Sequence, residues 1–438
     1  MLARRDAASD LAYDIAVPTT GRASLERLLA GLDASPGLPP RALILVDDRR
    51  EPDLDALAAA VPDGLSARVE LLATNGRGPA AARNAGWRAA RADWVAFLDD
   101  DVIPPPDWRE RLQSDLRALG PAVAGSQGRV RVPLPRARRP TDWERNVAAL
   151  EGARWATADM AFRRSALRAV GGFDERFPRA YREDADLALR LRAAGFELAV
   201  GAREVLHPVA PADRWVSVRK QAGNADDALM AALQGRGWRE RAEAPPGRLA
   251  LHMATTALGA GALGALALRR RRAAAVLGGG WLGATAQFAL ARILPGPRTS
   301  AEIATMLATS ALIPPFASFH RLAGSARAAS TSEPMSPTTA QRSGSTPSRA
   351  AASSTSPGAG LRQPQPSSGP CGHTHHGPSG PSSSSTRRFT AATSSSVTRP
   401  RAIPLWFETT ARRTPAARRR SSAGRAPGIA CTRAGSPL

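Results

Sequence analysis

The 438-residue chain is poor in cysteine, lysine and tyrosine. It has two cysteines, Cys371 and Cys431, a single lysine, Lys220, and two tyrosines. Both cysteines lie in the last quarter of the chain, so neither a disulfide framework nor a cysteine-based metal site can serve the first half. Such a distribution is typical of a protein in a reducing compartment.

The N-terminal segment also lacks the apolar core of a signal peptide. Residues 1–10 carry four charged side chains, so we expect the front of the protein to stay in the cytoplasm. A length of 438 residues leaves room for two or three domains.

Acidic residues are fewer than basic ones, and the basic excess is concentrated in the tail. Residues 331–438 hold 14 arginines and two acids, which is +12 of the net charge of +22. A positive balance can indicate a nucleic acid or an anionic membrane surface. The tail has no interleaved aromatic residues and no recognisable binding module, so we expect no nucleic acid partner.

Residues 328–438 are rich in Ser, Thr, Pro, Ala, Gly and Arg and have almost no periodic apolar pattern. This composition predicts a disordered, low-complexity tail. The histidines at 373, 375 and 376 lie near Cys371, but their spacing matches no zinc pattern. The abrupt change near residue 330 suggests a further hypothesis, a frame-shifted translation, which reading the gene in its other two frames would test.

Residues 14–200 alternate between short apolar runs and segments with helical spacing. This βαβαβαβ rhythm predicts an α/β fold with a mostly parallel sheet flanked by helices. The strand-like runs are 15–17, 42–46, 68–73 and 94–98, and the helical segments between them are 23–32, 53–61 and 79–92.

Two acid clusters directly follow strand-like runs, Asp47-Asp48 and Asp99-Asp100-Asp101. In a parallel sheet, ligands bind outside the carboxyl ends of the strands, where both clusters should lie. Three adjacent carboxylates repel one another, and a divalent cation would neutralise them. The alternative is a solvated acidic turn.

A third acid cluster, Glu183, Asp184 and Asp186, opens a helical segment. Carboxylates at a helix start are favoured by the helix dipole, so N-capping is an alternative to a role in a site.

Three stretches between 236 and 327 carry few charges: 249–268, 273–290 and 301–319. About 20 apolar residues can span a bilayer, so we predict a membrane-associated helical region, with Arg269–Arg272 on the cytoplasmic side. The third stretch, interrupted by Pro314-Pro315, is predicted to be interfacial rather than spanning. The alternative is a soluble helical hairpin that packs on the preceding domain.

The order of motifs over residues 13–225 resembles the family-two glycosyltransferases of the GT-A fold. The matching segments are Ile15–Arg22, Leu45–Asp48, Asn75–Pro79, Ala82–Gly86, Phe97–Asp101, Gly171–Glu175 and Glu183–Asp184.

The resemblance implies a Rossmann-like domain over 13–235, after an N-terminal extension at 1–12. It implies transfer of a sugar from a nucleotide-sugar donor to an acceptor hydroxyl, by a metal-assisted inverting displacement. The membrane-associated region suggests a glycan or lipid-linked acceptor of the cell envelope, a membrane surface as a partner, and a place at the cytoplasmic face of the membrane.

The resemblance also implies roles for individual residues. Asp99 and Asp101 would hold Mg²⁺ or Mn²⁺ against the donor diphosphate, with Asp101 favoured as the direct ligand, and Asp184 would be the general base. His207 is a further candidate metal ligand or a loop histidine with local hydrogen bonds. The expected donor-binding residues are Pro18, Thr19, Asp47, Asp48, Asn75, Arg83, Asn84 and Asp100. The expected acceptor-side residues are Asp159, Gly172 and Glu183.

Within these sets some assignments stay open. Asp47 or Asp48 would contact the base or ribose. Arg83 would neutralise phosphate or be an ordinary exposed helix arginine. Asp100 should point away from its two neighbours on an extended segment, and we expect it to tolerate replacement best.

The sequence departs from the family pattern at three places. Arg49-Arg50 follow Asp48 where small residues are usual, and Thr20-Gly21 replaces an aromatic-Asn pair. Both departures affect the identity of the donor more than the reaction type. Arg214-Trp215 lacks the preceding Gln of processive synthases, which favours transfer of one sugar per event.

Two other function classes remain. One is a phosphatase or phosphotransferase with a nucleophilic Asp in an Asp-x-Asp motif, but its motif usually lies on the first strand and precedes Ser or Thr. Here it follows the fourth strand-like run and precedes Val102-Ile103-Pro104. The other is a noncatalytic module that binds nucleotide-sugars or glycans, against which the intact set of Asp99, Asp101 and Asp184 argues.

Overall fold

A computed structural model describes residues 11–330 of the chain. The predicted tail from 331 onward, with Cys371, Cys431 and the nearby histidines, lies outside the described residues, as do the first ten residues of the predicted N-terminal extension.

Seven strands form one sheet in residues 11–330, in the order β3-β2-β1-β4-β6-β5-β7. β1 to β4 are mutually parallel, β6 runs antiparallel to both neighbours, and β7 is parallel to β5. The predicted, mostly parallel sheet is confirmed. The strands are β1 (Tyr13–Thr19), β2 (Leu43–Asp47), β3 (Val69–Ala73), β4 (Trp94–Leu98), β5 (Val123–Arg131), β6 (Asp159–Arg163) and β7 (Glu197–Leu206).

Helices cover the sheet and continue beyond it. Those up to the end of the sheet are α1 (Ser24–Ala34), α2 (Leu54–Ala59), α3 (Asp63–Ser66), α4 (Pro79–Ala89), α5 (Trp108–Arg117), α6 (Asp142–Ala148), α7 (Arg164–Val170) and α8 (Glu183–Ala193). Those after it are α9 (Val216–Arg219), α10 (Gly223–Gln234), α11 (Trp238–Arg241), α12 (Leu249–Ala267), α13 (Arg271–Ile293) and α14 (Ser300–Ser330). Two 3₁₀ turns lie at Ala149–Gly152 and Lys220–Ala222.

The central strands are apolar on both faces because helices cover both sides of the sheet. Every residue of β2 and β4 is buried. Phe97, Phe162 and Phe173 meet edge to face on one side of the sheet, with ring centroids 5.4 to 6.5 Å apart. Such aromatic pairs add about 0.5–1.5 kcal/mol each beyond the burial of their area.

The register of the parallel strands gathers the acid clusters at one edge. Thr19 at the end of β1 lies opposite Asp47 at the end of β2, and β4 on the other side of β1 leads directly into Asp99. Helix α4 lies close against this sheet, because Gly86 lets its backbone approach β1. A Cβ at Gly86 would lie 2.9 Å from the Cβ of Ala16.

By length and composition, three helices in residues 11–330 could each cross a membrane, namely α12, α13 and α14. The expected interruption of the third stretch is wrong, because α14 runs unbroken through Pro314 and Pro315. Ser318 donates a hydrogen bond to the carbonyl of Pro314 (2.9 Å). The helix also extends three residues beyond 327, the predicted end of the helical region. The domain boundaries at 235 and 327 stay predictions.

Candidate active site

The carboxyl edge of the sheet carries a cluster of buried charged side chains. It is built from the turn after β1, the triplet after β4, helix α4, the start of α8 and the loop after β7. Asp99, Asp100 and Asp101 are 9 %, 0 % and 7 % exposed. The alternative of a solvated acidic turn is therefore wrong.

Arg22 neutralises two members of the triplet. Its Nη2 lies 2.6 Å from Oδ1 of Asp100, and its Nη1 lies 2.8 Å from Oδ2 of Asp101. Thr19 Oγ1 also donates to Asp100 (2.7 Å). Burial raises the pKa of Asp100 to about 6, against the opposing effect of Arg22. The expectation that Asp100 tolerates replacement best conflicts with these contacts, since its carboxylate anchors the β1 turn to the triplet.

Arg83 forms an ion pair with Asp99, the remaining acid of the triplet. The guanidinium is 2 % exposed, and it pairs with Asp99 through Nη2 (2.8 Å) and with Glu183 through Nη1 (2.7 Å). Burial opposes its charge, but Asp99 and Glu183 together keep the pKa of Arg83 above its usual value. The default of an exposed helix arginine is wrong. Arg83 is instead the cation that joins the triplet to helix α8.

Glu183 and Asp184 open helix α8 inside the protein rather than at its surface. Arg182 precedes them in a left-handed conformation, with φ of 80°. Burial, then the charge of Asp184, raises the pKa of Glu183. Burial likewise raises the pKa of Asp184 to about 6, although Arg83 works in the opposite direction. A buried carboxylate with such a pKa is suited to accept a proton near neutral pH.

The third acid of the α8 cluster has a structural role. Asp186 accepts hydrogen bonds from Arg190 one turn later (2.7 Å) and from Gln234 on α10 (2.7 Å). N-capping is wrong for this cluster, because no side chain caps the start of α8.

His207 faces the triplet from the loop after β7. Its Nε2 lies 3.4 Å from Oδ1 of Asp101, and both side chains are buried. That Oδ1 and the Nδ1 of His207 have no hydrogen-bond partner among residues 11–330. An unpartnered buried carboxylate oxygen beside an imidazole suits a divalent cation.

In the part of the chain that the structure describes, no three His, Cys, Asp or Glu side chains are close enough to hold a metal ion by themselves. Asp101 and His207 approach each other, whereas Asp99 turns to Arg83. The residues present therefore fit a cation that takes its remaining ligands from a diphosphate and water.

Asp47 and Asp48 organise the loops that follow their strand. Asp47 accepts hydrogen bonds from the side chain of Arg49 (2.6 Å) and from the backbone of Asp53 (2.9 Å). Burial works against ionisation, yet the bonds from Arg49 keep the pKa of Asp47 below its usual range. Asp48 accepts from Thr74 Oγ1 (2.9 Å) and from the backbone of Gly78 (3.1 Å). Arg49 stands where the family pattern has a small residue, and its ion pair with Asp47 explains this departure.

Asn84 and Gly172 join helix α4 to the loop that contains Phe173. Asn84 donates to the carbonyl of Phe173 (2.9 Å) and accepts from Trp87 (2.8 Å) and from the backbone of Phe173 (2.9 Å). Gly172 has φ of +77°, and a Cβ there would lie 2.5 Å from Asn84. The donor role of Asn84 and the acceptor role of Gly172 are not supported by these contacts.

Asp159 is also a core residue. It is fully buried, with one carboxylate oxygen accepting from Arg203 (2.8 Å) and the other from Trp108 (2.9 Å). Both oxygens are engaged inside the sheet, so the expected contact with an acceptor conflicts with the structure.

Of the remaining expected donor residues, Pro18 is half-buried within β1 and Asn75 is exposed. Asn75 adopts a left-handed conformation with φ of 53° in the turn before α4. Arg22 was missed as a separate site residue by the sequence reasoning. The three carboxylates predict a nearby cation. The sequence does not show that Arg22, which precedes Asp100 by 78 positions, lies beside them.

Residues 14–184 match the family model described as glycosyl transferase family 2. This segment is similar to that family. The match and the seven-stranded sheet together confirm the predicted resemblance and fold class.

Two curated relatives match parts of this domain. The pre-mycofactocin glycosyltransferase of Mycobacterium tuberculosis (strain H37Rv) is 39 % identical over 136 residues, 28 % of this chain and 28 % of its own length. The succinoglycan biosynthesis protein ExoO of Rhizobium meliloti is 42 % identical over 83 residues, 19 % of this chain and 23 % of its own length. The matched segments therefore span about a quarter of these relatives.

Two solved structures are similar at lower identity. The mannosyltransferase PcManGT from Pyrobaculum calidifontis, solved with GDP-Man and Mn²⁺, is 20 % identical with a TM-score of 0.39, covering 73 % of this chain and 86 % of that one. S. aureus TarS is 16 % identical with a TM-score of 0.33, covering 50 % of this chain and 40 % of that one.

Proposed function

We propose that this protein transfers a sugar from a nucleoside-diphosphate sugar to an acceptor hydroxyl, with inversion at the anomeric carbon. The observation that carries the proposal is the link between metal-side and acceptor-side acids within the family 2 domain. Arg83 joins Asp99 to Glu183, and Asp184 follows directly with a pKa raised to about 6 by burial.

Asp101 and His207 are the residues that would hold Mg²⁺ or Mn²⁺. Such a cation, when bound, stabilises the negative charge that develops on the leaving nucleoside diphosphate. Arg22 and Arg83 keep the three carboxylates of the triplet neutralised and fixed in place, which preorganises the site for a charged donor.

Asp184 acts on the acceptor. Its carboxylate takes the proton of the acceptor hydroxyl while that oxygen forms a bond to the anomeric carbon. The bond between the anomeric carbon and the diphosphate oxygen breaks on the opposite side, and the nucleoside diphosphate leaves with the bonding electron pair. A single displacement of this kind inverts the anomeric configuration.

The acceptor is a glycan or a lipid-linked saccharide, reached at the cytoplasmic face of the membrane. Two observations support this part of the proposal. Helices α12 to α14 have the length and composition of membrane segments, and the similar ExoO is named for succinoglycan biosynthesis.

The test compares Asp184→Asn with the wild-type protein. Nucleotide-sugars are screened with Mn²⁺ for turnover and for thermal stabilisation by the donor, which scales with ligand occupancy. We expect Asp184→Asn to lose turnover by about 100-fold or more and to keep donor-dependent stabilisation. Asp93→Asn, an exposed acid at the other end of β4, is the matched control.

Full activity of Asp184→Asn would contradict the assigned base. Donor binding without turnover in the wild-type protein would favour a noncatalytic module instead. Release of inorganic phosphate from simple phosphomonoesters would favour the phosphatase class.

A further inference from the structure

A second cavity lies away from the carboxylate triplet, between the family 2 domain and the three apolar helices. Its volume is about 440 Å³, which is within the range of ligand pockets. Side chains from α6, α10, α12, α13 and α14 line it, together with Arg182 just before α8. The expected donor and metal residues are not among its lining residues.

The cavity wall is strongly basic. Its basic side chains outnumber its acidic ones by six to two. The basic residues are Arg145, Arg182, Lys220, Arg239, Arg248 and Arg292, and the acidic ones are Asp142 and Asp227. Each carboxylate is shared between two arginines, Asp142 by Arg145 and Arg292, and Asp227 by Arg182 and Arg239. An anionic ligand is the complement of such a wall.

Arg248 is the cation best placed to bind that ligand. It is half-buried, and its guanidinium carbon lies 5.7 Å from the ring centroid of Phe288. No carboxylate in residues 11–330 lies within ion-pair distance of it. A guanidinium on an aromatic face with its donors unclaimed by an acid suits a phosphate, which accepts two parallel N–H bonds.

The same cavity has an apolar side. Leu249, Phe288 and Ile313 line it, one from each of α12, α13 and α14. These helices expose large apolar side chains elsewhere, such as Leu263 and Val276. A ligand with an apolar chain could therefore continue from the cavity along the surface of the helices.

The cavity shares one lining residue with the acceptor side of the candidate active site. Arg182 lines it and also lines a smaller pocket that contains Asp184. A ligand held beside Arg182 would thus place a covalently attached group next to the proposed base.

We propose that this cavity binds the phosphate of an acceptor sugar carried on a lipid phosphate, with the lipid chain against α12 to α14 and the sugar toward Asp184. The proposal rests on the proposed function and names the acceptor class of the same site. The basic wall matches the phosphate, the apolar wall matches the lipid chain, and Arg182, shared with the pocket of Asp184, lies between the cavity and the proposed base.

The test measures ligand binding to the full chain in uncharged detergent by calorimetry and thermal shift. The probes are decyl phosphate, inorganic phosphate and decyl maltoside. We expect decyl phosphate to bind at least about tenfold more tightly than inorganic phosphate, because the apolar chain adds buried area. Decyl maltoside, which lacks the anion, should give no comparable stabilisation.

Arg248→Gln should weaken decyl phosphate binding about tenfold, because a charge-assisted contact is lost, whereas Arg248→Lys keeps the charge and should weaken it less. Arg117→Gln, which removes the same charge from an exposed position on α5, is the control. Should Arg248→Gln fail to fold, Lys220→Gln replaces it with the same expectation. Unchanged affinity in the folded variant, or equal binding of decyl maltoside, overturns the proposal.

Equally tight binding of inorganic phosphate would overturn the lipid-linked part, since the apolar wall would then contribute nothing. Mn²⁺-dependent stabilisation of the wild-type protein by nucleoside diphosphates is measured in the same preparation. Its failure counts against the proposed glycosyl transfer and leaves the decyl phosphate result standing, so the two failures are distinguishable.

Discussion

At the scale of single residues, the acid triplet is stable because every member pairs with an arginine, although Asp100 and Asp101 share the same one. Asp99 has Arg83, Asp100 has Arg22, and Asp101 has Arg22 and His207. Buried charges left unpaired cost several kcal/mol each. The triplet is thus both the expected metal site and the structural link between β1, β4 and α4.

Arg22 should compete with a divalent cation for the triplet. We predict that Arg22→Ala raises the affinity for Mn²⁺ in the absence of nucleotide about tenfold, because one positive charge beside Asp100 and Asp101 is removed. The metal-free variant should lose about 1–2 kcal/mol of unfolding free energy, a figure reduced for the partial exposure of Arg22. Calorimetric Mn²⁺ titration and thermal unfolding measure the two effects.

The control for this substitution is Arg27→Ala, an exposed position on the next helix. Mn²⁺ affinity unchanged by Arg22→Ala would mean that the cation does not bind beside Asp101.

Asp184 should make both activity and stability depend on pH. Transfer should fall as the pH drops below about 6, because the base becomes protonated at its raised pKa. A carboxyl whose pKa is higher in the folded state than in the unfolded state destabilises the folded protein once ionised. That cost is absent below the ordinary pKa of 3.8, develops up to about pH 6 and is complete above it.

Asp184→Asn removes this cost, so we expect it to raise the unfolding free energy by on the order of 2–3 kcal/mol at pH 8 and by little at pH 4. Chemical denaturation at the two pH values measures the difference. A variant less stable than wild type at pH 8 would show that hydrogen bonding to Asp184 outweighs its burial.

At the scale of elements, α14 is the helix that ties the apolar region to the family 2 domain. It passes α10 so closely that a Cβ at Gly324 would lie 2.5 Å from the Cα of Ala225. The carbon that Gly324→Ala adds would meet backbone, so the two helices must separate.

We therefore predict that Gly324→Ala lowers the unfolding free energy by about 1–3 kcal/mol. The matched control is Gly264→Ala on α12, where no atom lies within 4 Å of the added carbon. There the change should be neutral or stabilising by up to about 1 kcal/mol, since alanine is the better helix former. Thermal unfolding of both variants in detergent tests the opposite signs, and equal effects would contradict the close packing.

The elements also differ in how well the sequence predicted them. Continuous apolar runs predicted β2 and β4 correctly, because a strand that is buried on both faces consists almost entirely of apolar residues. The position of β6, inserted antiparallel between β4 and β5, had no such signal, since strand order depends on contacts between distant segments. The prolines of α14 gave a wrong prediction for a related reason: the helix continues through both of them, and Ile313, Pro314 and Ala317 are buried against other parts of the protein.

At the scale of the whole molecule, the exposed apolar surface of α12 and α13 indicates a membrane. Side chains such as Leu263, Leu266 and Val276 are 60 to 75 % exposed, and contiguous apolar surface of this kind needs a partner. We predict that the full chain sediments with membranes and stays there in about 1 M salt, which screens surface charges, and is released by detergent. Release by salt alone would indicate a peripheral, electrostatic attachment.

The sequence by itself determined the resemblance to glycosyl transferase family 2, the alternation of strands and helices, and the edge of the sheet at which the acids gather. These follow from local patterns, since apolar periodicity and short motifs are properties of neighbouring residues. Only the tertiary structure decided which acids are available for chemistry.

The tertiary structure places Asp159 and Asn84 in the core and pairs Asp47 with Arg49 of its own loop. It also brings Arg22, Arg83 and His207 to the triplet. The physical reason is that the role of a buried carboxylate depends on its partner, and here most of the partners lie on other elements of the fold.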